Sequence, residues 1–560
     1  MLALTFALLG FSSWSASAAA SESGSVLAWG YNADGELGNG GTASSTVPAP
    51  VSGGAIPPGT TFTRVAVGFN HSLALSARGQ VYAWGRNDHG QLGDGTPNDA
   101  HVPVAVSAGA IPRGTRISQI AAGNDVSVAL SSTGQLYAWG SNTYGDLGTG
   151  PTSDAHVPVA VSAGEMPPGT TFTSVAAGMY HILALSSSGQ LYTWGANFSG
   201  QLGTGTTHDS SVPKSVTAGA IPVGAKLTEI AAGGNHNLAL SASGQLYAWG
   251  ENVFFGELGN GTTTNQSAPV AVSAGAIPAG AQVTQIAAGD RHSLALDASG
   301  QLYAWGRDNH GQLGINSLSN ESAPSRVAMY DIPAREAITQ IAAGDNYSLA
   351  LSASGQLYSW GENEAGRLGD GDTTDLSVPE TAALPAGMRI ASLAQGSVAS
   401  HRLALTASNG TGGRGGPVLV VNELKIAPRA FAAARRGPSV SAAGVGHPVG
   451  ARVTYALTIA ANVRFTAEQK LPGKVQGSGP SARCAAQTAS NRRGRRCTRL
   501  VPVRGSFTRA GSGGANRFRF TGRLGGRALK LGSYVLAATP TAAAKTGRPV
   551  TVSFQIIHGR

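Results

Sequence analysis

The sequence predicts an all-β fold, a seven-bladed β-propeller followed by an immunoglobulin-like β-sandwich, and three observations carry that prediction. First, one sentence is written seven times, as in GQLYAWGSNTYGDLGTG (134–150), and its tryptophans Trp29, Trp84, Trp139, Trp194, Trp249, Trp305 and Trp360 step by 55 residues with a single step of 56. A fixed period of that size marks an array or a propeller. Second, the 560 residues include 79 glycines but only 12% charged residues, a composition for strands and turns rather than helices. Third, the two ends of the repeat region are half-units that complete each other.

Each unit reads as four strands. The WG strand is followed by a loop with Asn32, Asn87, Asn142, Asn197, Asn252, Asp308 or Asn363, then Gly, a variable residue, Leu and Gly. Asn and Asp bond their own turn and tolerate left-handed backbone, while Leu37, Leu92, Leu147, Leu202, Leu258, Leu313 and Leu368 pin the loop to the core. A proline follows at 48, 103, 158, 213, 269, 324 or 379, as expected of an outer strand where a missing N–H costs least. Next comes a strand ending in small residues, such as Ala121-Ala122-Gly123, suited to the crowded innermost position. The HSLAL strand then turns back into the next WG strand as a hairpin. Val26–Gly30 is a WG strand with no HSLAL before it, and His401–Leu405 is an HSLAL strand with no WG strand after it. Joining them closes a ring and hides the sheet edges.

The motif WGxNxxGQLG, proline, IAAGxxHSLAL resembles the RCC1 repeat of the regulator of chromosome condensation, from about Val26 to Leu405. The resemblance implies a seven-bladed propeller. The founding member of that family is a guanine-nucleotide exchange factor for a nuclear GTPase and binds chromatin, so exchange on a small GTPase is the alternative function. Exchange factors of this family use a wedge-like insertion in one blade, whereas no unit here gains more than one residue. In kind the array is also similar to β-lactamase inhibitor protein II, a secreted bacterial propeller that binds an enzyme through one face.

Two residues between the small-residue strand and the HSLAL strand differ in every unit: Phe69-Asn70, Asn124-Asp125, Met179-Tyr180, Gly234-Asn235, Asp290-Arg291 and Asp345-Asn346, with Ser397 to Ser400 in the last. A second varied set follows the tryptophans and includes Tyr31, Arg86, Asp88, His89, Tyr144, Phe198, Phe254, Phe255, Arg307 and His310. Constant scaffold with varied tips, rich in aromatics and Arg, is the pattern of a recognition surface for a protein partner. No HExxH, P-loop or GxSxG motif is present, so neither an enzyme nor a bound cofactor is expected. His71, His181, His236, His292 and His401 recur at one position, but Val126 and Tyr347 replace them in two units. Metal ligands would not exchange with valine, so these histidines are read as structural and no metal site is assigned. The acidic GDGDTTD (369–375) lacks the distal Glu of a calcium loop. One plant member of the resembled family absorbs light through tryptophans; here the seven are read as blade packing.

From Thr411 onward, 25 Lys and Arg stand against Glu423 and Glu468, a charge of +23, which leaves −13 of the total +10 for the preceding residues. The expected organisation is a signal peptide at 1–20, the propeller at 21–407, a Gly-rich linker at 408–417 and a basic β-sandwich at 418–560. The leader MLALTFALLGF is apolar but short for a bilayer span, so a secreted or envelope-associated, monomeric protein without a transmembrane span is expected. Alternating stretches at 453–468, 516–524 and 533–540 supply the sandwich strands. Cys484 and Cys497 are expected to form one disulfide. They would clip a loop carrying Arg492, Arg493, Arg495 and Arg496, suited to an anionic cell-surface polymer. No aromatic residue interleaves these arginines, so specific nucleic-acid binding is not expected.

Overall fold

The computed structural model describes residues 23–407, except 218, 334–335 and 386–387, together with separate segments between 421 and 556. The leader therefore lies outside the described residues, as does the linker at 408–417. The chain divides into two units, Met1–Asn409 and Gly410–Arg560.

The first unit is a closed ring of seven four-stranded antiparallel blades. The first blade is built from Phe62–Val67, His71–Ser76, Val81–Gly85 and Ala100–Ala105, from the innermost strand outward, and five more repeat that order up to Leu376–Thr381. Ile390–Leu393 and His401–Ala407 supply the inner half of the seventh blade, and Ser23–Gly30 and Ser45–Pro50 its outer half. In that blade Gly30 faces His401 and Trp29 faces Arg402, the register that sets Gly85 against His71 and Trp84 against Ser72 in the first blade. The expected closure by the two ends is therefore realised strand for strand.

Local rules explain the strand positions. The glycine after each pair of small residues is needed because blades approach most closely there: a Cβ on Gly123 would lie 2.5 Å from the Gly178 carbonyl oxygen. The prolines sit in the outer strands beside a break in the pairing register, and their side chains point inward. The carbonyls of Pro103, Pro158, Pro213, Pro269 and Pro324 accept from the preceding blade's crossover loop, as in the Ala55 N–H to Pro103 O bond of 2.7 Å.

None of the seven loop Asn/Asp residues is left-handed; the neighbouring glycines take that backbone. The buried amide instead ties the whole loop together. Asn32 Oδ1 accepts from the Leu37 N–H at 2.8 Å while its Nδ2 donates to the carbonyls of Gly41 and Ala43. Asp308 keeps the accepting half of this arrangement, 2.8 Å from the Leu313 N–H.

The extra residue behind the 56-residue step falls at Phe254-Phe255. Phe254 is 78% exposed and left-handed, with φ of 74°. Replacement Phe254→Gly is expected to stabilise the fold by about 1 kcal/mol, since a side chain that packs little is held in a conformation that glycine adopts freely. Urea unfolding checks this, and a loss of stability would contradict it.

The second unit is also all-β. One sheet orders Val421–Ala427, Ala451–Leu457, Gly514–Phe520 and Val440–Ser441. A second, larger sheet is organised around the long strand Ala461–Gln476, paired with Gly532–Ala542, which pairs in turn with Val550–Ile556. The alternating stretch 453–468 falls on two strands in different sheets instead of forming one. Phe507 stacks between Phe465 and Phe520, with ring centroids 4.9 and 5.7 Å away. The backbone sets Cys484 opposite Val475 and Cys497 opposite Gly473. The side chains of both cysteines and of Arg496 lie outside the described residues, as do Arg492, Arg493 and Arg495 entirely.

Candidate functional site

Antiparallel pairing decides where the variation goes. The second strand of each blade begins where the third strand ends, as His71 faces Gly85. The varied pair before the histidine and the varied loop after WG therefore emerge at the same end of every blade, on one face of the ring. At the other end lie the near-identical SASG-type turns and AGAIP crossover loops.

The face is built by contacts between adjacent blades and within them. Gln91, Gln201 and Gln312 each place Nε2 3.3 Å from a tip side chain of the next blade, Asp125, Asn235 and Asn346 respectively. Asn70 donates to Asp34 at 2.8 Å, and Arg291 pairs with Glu251 and Asp290 at 3.3 and 3.4 Å. Arg367, almost fully buried, pairs with Glu362 at 2.6 Å and with Asp345 at 3.6 Å.

The expected binding residues thus fall into two groups. Phe69 is exposed; Asn70, Asn124, Asp125, Met179, Tyr180, Asp290, Arg291 and Asp345 are half-buried at the surface. Asn235 and Asn346 are buried, and this corrects the expectation for them. Their amides donate to Glu251 and Glu362, at 3.0 and 3.1 Å, and so support the face rather than present it. Ser397 and Ser400 of the last tip are buried as well.

Two aromatic groups stand out. Tyr144 lies 5.1 Å from Tyr180 and 6.5 Å from Phe198, centroid to centroid. Phe255 is covered by the guanidinium groups of Arg291 and Arg307 at 5.5 and 5.3 Å. Beside the tyrosines is a recess of about 210 Å³, bounded by His89, Asn124, Asp125, Asp146, Met179 and Tyr180 among others.

The residue before each loop leucine, namely Glu36, Gln91, Asp146, Gln201, Glu257, Gln312 or Arg367, is buried under this face in every blade. Sequence reading passed over it, although it alone varies in charge within an otherwise constant GxLG frame. Its backbone carbonyl accepts the indole N–H of the next blade's tryptophan in all seven cases, from 2.7 to 3.1 Å.

The recurrent histidines lie in the seams between blades. Nε2 of His71, His236 and His292 is 2.9 Å from the Oγ of Ser127, Ser293 and Ser348, His181 meets Asn237 Oδ1 at 2.9 Å, and His401 meets Ser72 at 2.7 Å. Where Val126 replaces histidine, the partner is Ile182, and both belong to one apolar cluster. Where Tyr347 replaces it, the partner is Arg402, whose guanidinium lies 4.1 Å from the ring centroid. Each seam keeps a matched pair. Asp370 and Asp375 of the acidic loop accept hydrogen bonds from Asn363.

Burial sets two opposed groups of protons. It lowers His71, His236, His292 and His401 to about 3 and His181 to about 4. It raises Glu36, Glu229 and Asp308 to about 7, Asp146 and Glu257 to about 8, and Asp290 to about 6. In the unfolded chain the histidines titrate near ~6.5, so their contribution is present above that pH and is lost as pH falls toward the folded values. The acids titrate near ~4 when unfolded, so theirs is present below that pH and is lost as pH rises through 6 to 8. Thermal stability of the propeller is expected to peak near pH ~5. A melting temperature that keeps rising up to pH ~8 would contradict that balance.

A closed seven-bladed propeller with its variation gathered on one face defines the class. The residues and the comparisons then make the assignment specific: the chain belongs to the RCC1-repeat family. The RCC1-like domain model matches residues 12–273, and regulator of chromosome condensation (RCC1) repeats match 299–351 and 354–400. The ultraviolet-B receptor UVR8 of Arabidopsis thaliana is 34% identical over 356 residues, 63% of this chain and 77% of that one. The mitochondrial RCC1 domain-containing protein RUG3 of the same plant is 32% identical over 61% of this chain and 79% of its own. Among solved structures, Prp20p of Saccharomyces cerevisiae, studied for its binding to Gsp1p and histones, superposes with a TM-score of 0.58 at 26% identity, covering 69% of this chain and 92% of that one. Among the described residues no helix is long and apolar enough to cross a membrane.

Proposed function

We propose that this protein is an exported, non-catalytic binding platform that holds a protein partner on the varied face of its propeller. The observation that carries this reading is the gathering of both varied sets at one end of every blade, over a scaffold whose opposite end repeats nearly unchanged. Aromatic and arginine side chains concentrate there, the residue types that anchor interfaces. Prp20p, of the same family, is a protein that binds others. The basic C-terminal unit, read as an immunoglobulin-like module, serves attachment to the envelope or to an anionic polymer through its excess of arginine.

The test is capture from the producing cell's envelope and extracellular fraction with the full chain as bait. The triple substitution Phe69→Ala, Met179→Ala, Tyr180→Ala is expected to abolish capture without melting the fold. A control at fully exposed Val223 on the opposite face, Val223→Ser, should leave it intact. If the triple variant captures the same protein as wild type, the varied face is not the binding surface.

A further inference from the structure

The recess beside Tyr144 and Tyr180 carries more than general stickiness. Two carboxylates approach it from different elements: Asp125 from the tip of the second blade, and Asp146 from the loop after Trp139 in the same blade. Neither makes an ion pair with any described residue. Asp125 is held only by neutral donors, Asn124 Nδ2 and Gln91 Nε2. Asp146 is 2% exposed, and its Oδ1 has no hydrogen-bond partner among the described residues, although its Oδ2 receives the Tyr144 N–H at 3.4 Å. The nearby basic side chains are already engaged, His89 with Asp154 at 2.7 Å and Arg86 with Asp88. A buried acceptor left open beside two tyrosine rings inclined at 53° is a half-built site, since rings and carboxylate both favour a positive, flat partner.

We propose that this recess receives the guanidinium of an arginine side chain presented by the protein partner. The proposal rests on the platform reading and specifies its chemistry. Asp146 Oδ1 and Asp125 accept the guanidinium N–H groups, while Tyr144 and Tyr180 flank its face. Arginine fits better than lysine because its planar, weakly hydrated head can lie against a ring while donating in its own plane. Burial raises both carboxyls, Asp146 to about 8, and a cation bound between them offsets the cost of ionising them there. The propeller's own charge of −13 draws a basic segment toward this surface.

The experiment is calorimetric titration of the full chain with the blocked tripeptide acetyl-Gly-Arg-Gly-amide and with its citrulline isostere, which keeps the shape and lacks the charge. The arginine peptide is expected to bind at least about tenfold more tightly than the citrulline peptide. Asp146→Asn, which preserves the shape of the protonated acid, and Tyr180→Leu should each remove that preference. Glu257→Gln, at the equivalent loop position two blades away, should keep it. Equal binding of the two peptides, or an unchanged preference in a folded Asp146→Asn variant, overturns the proposal. That result leaves the platform reading standing if the Phe69, Met179, Tyr180 triple variant still loses the captured protein.

Discussion

Replacing one blade tryptophan with alanine, Trp194→Ala, is expected to cost about 4 kcal/mol of stability. The side chain is fully buried in a cluster drawn from two blades, with Leu147 and Val128 across the seam and Ile182 from its own blade. Its indole N–H donates to the Asp146 carbonyl of the preceding blade at 2.9 Å. Truncation therefore opens a cavity and orphans a buried acceptor at the same place. Trp194→Phe separates the two effects, because it keeps much of the volume and loses only the donor; a cost of about 1–2 kcal/mol is expected. Gly148 shows how closely the loop is fitted to this ring. It is left-handed, with φ of 67°, and a Cβ there would meet Trp194 Nε1 at 2.7 Å, so Gly148→Ala should also destabilise. Denaturant unfolding of the three variants measures all this, and a loss below 1 kcal/mol for Trp194→Ala would mean that the seams do not depend on their tryptophans.

The second large effect concerns the seam between the sixth and seventh blades. Arg402 is fully buried with no hydrogen-bond partner on its guanidinium among the described residues, and only the face of Tyr347 receives it. Tyr347 in turn donates its hydroxyl to the His401 carbonyl at 3.1 Å. Tyr347→His alone removes the ring beneath a buried cation and should cost about 3–5 kcal/mol. Adding Arg402→Ser converts the pair to the histidine–serine match that four other seams use, His71 with Ser127 among them. The double variant is expected to recover most of the loss and to unfold within about 1 kcal/mol of wild type. The double-mutant cycle is read by urea unfolding, and additive costs would show that the two positions do not act as a pair.

Those seam pairs mark the boundary of what the linear pattern discloses. The turn of WG into its loop, the hairpin from HSLAL and the proline of the outer strand are local rules of chain conformation, each visible within about ten residues. The same pattern exposed the half-units at Val26–Gly30 and His401–Leu405, and the structure joins them in the expected register. The partner of a seam residue lies 55 to 57 residues away in the next blade, or 329 across the closure. Read one position at a time, Val126 and Tyr347 are merely exceptions to a histidine; read against Ile182 and Arg402, they are matched substitutions. The tips show the same limit. Asn235 and Asn346 vary like Met179 and Tyr180, yet a glutamine of the preceding blade and a glutamate of their own loop hold them below the surface.

The amino-acid sequence by itself determined the number of blades, the order of strands within each and the closure of the ring, because those follow from short-range periodicity and from the need of every sheet to cover its faces. It also separated an acidic repeat region from a basic tail, since charge is read directly from composition. Only the tertiary structure decided which varied residues share a face, which of them are buried as its support, and where carboxylates lie beneath it without a counter-ion. Burial, proton affinity and pairing at those positions are properties of neighbours brought together from different blades, and no stretch of chain contains them alone.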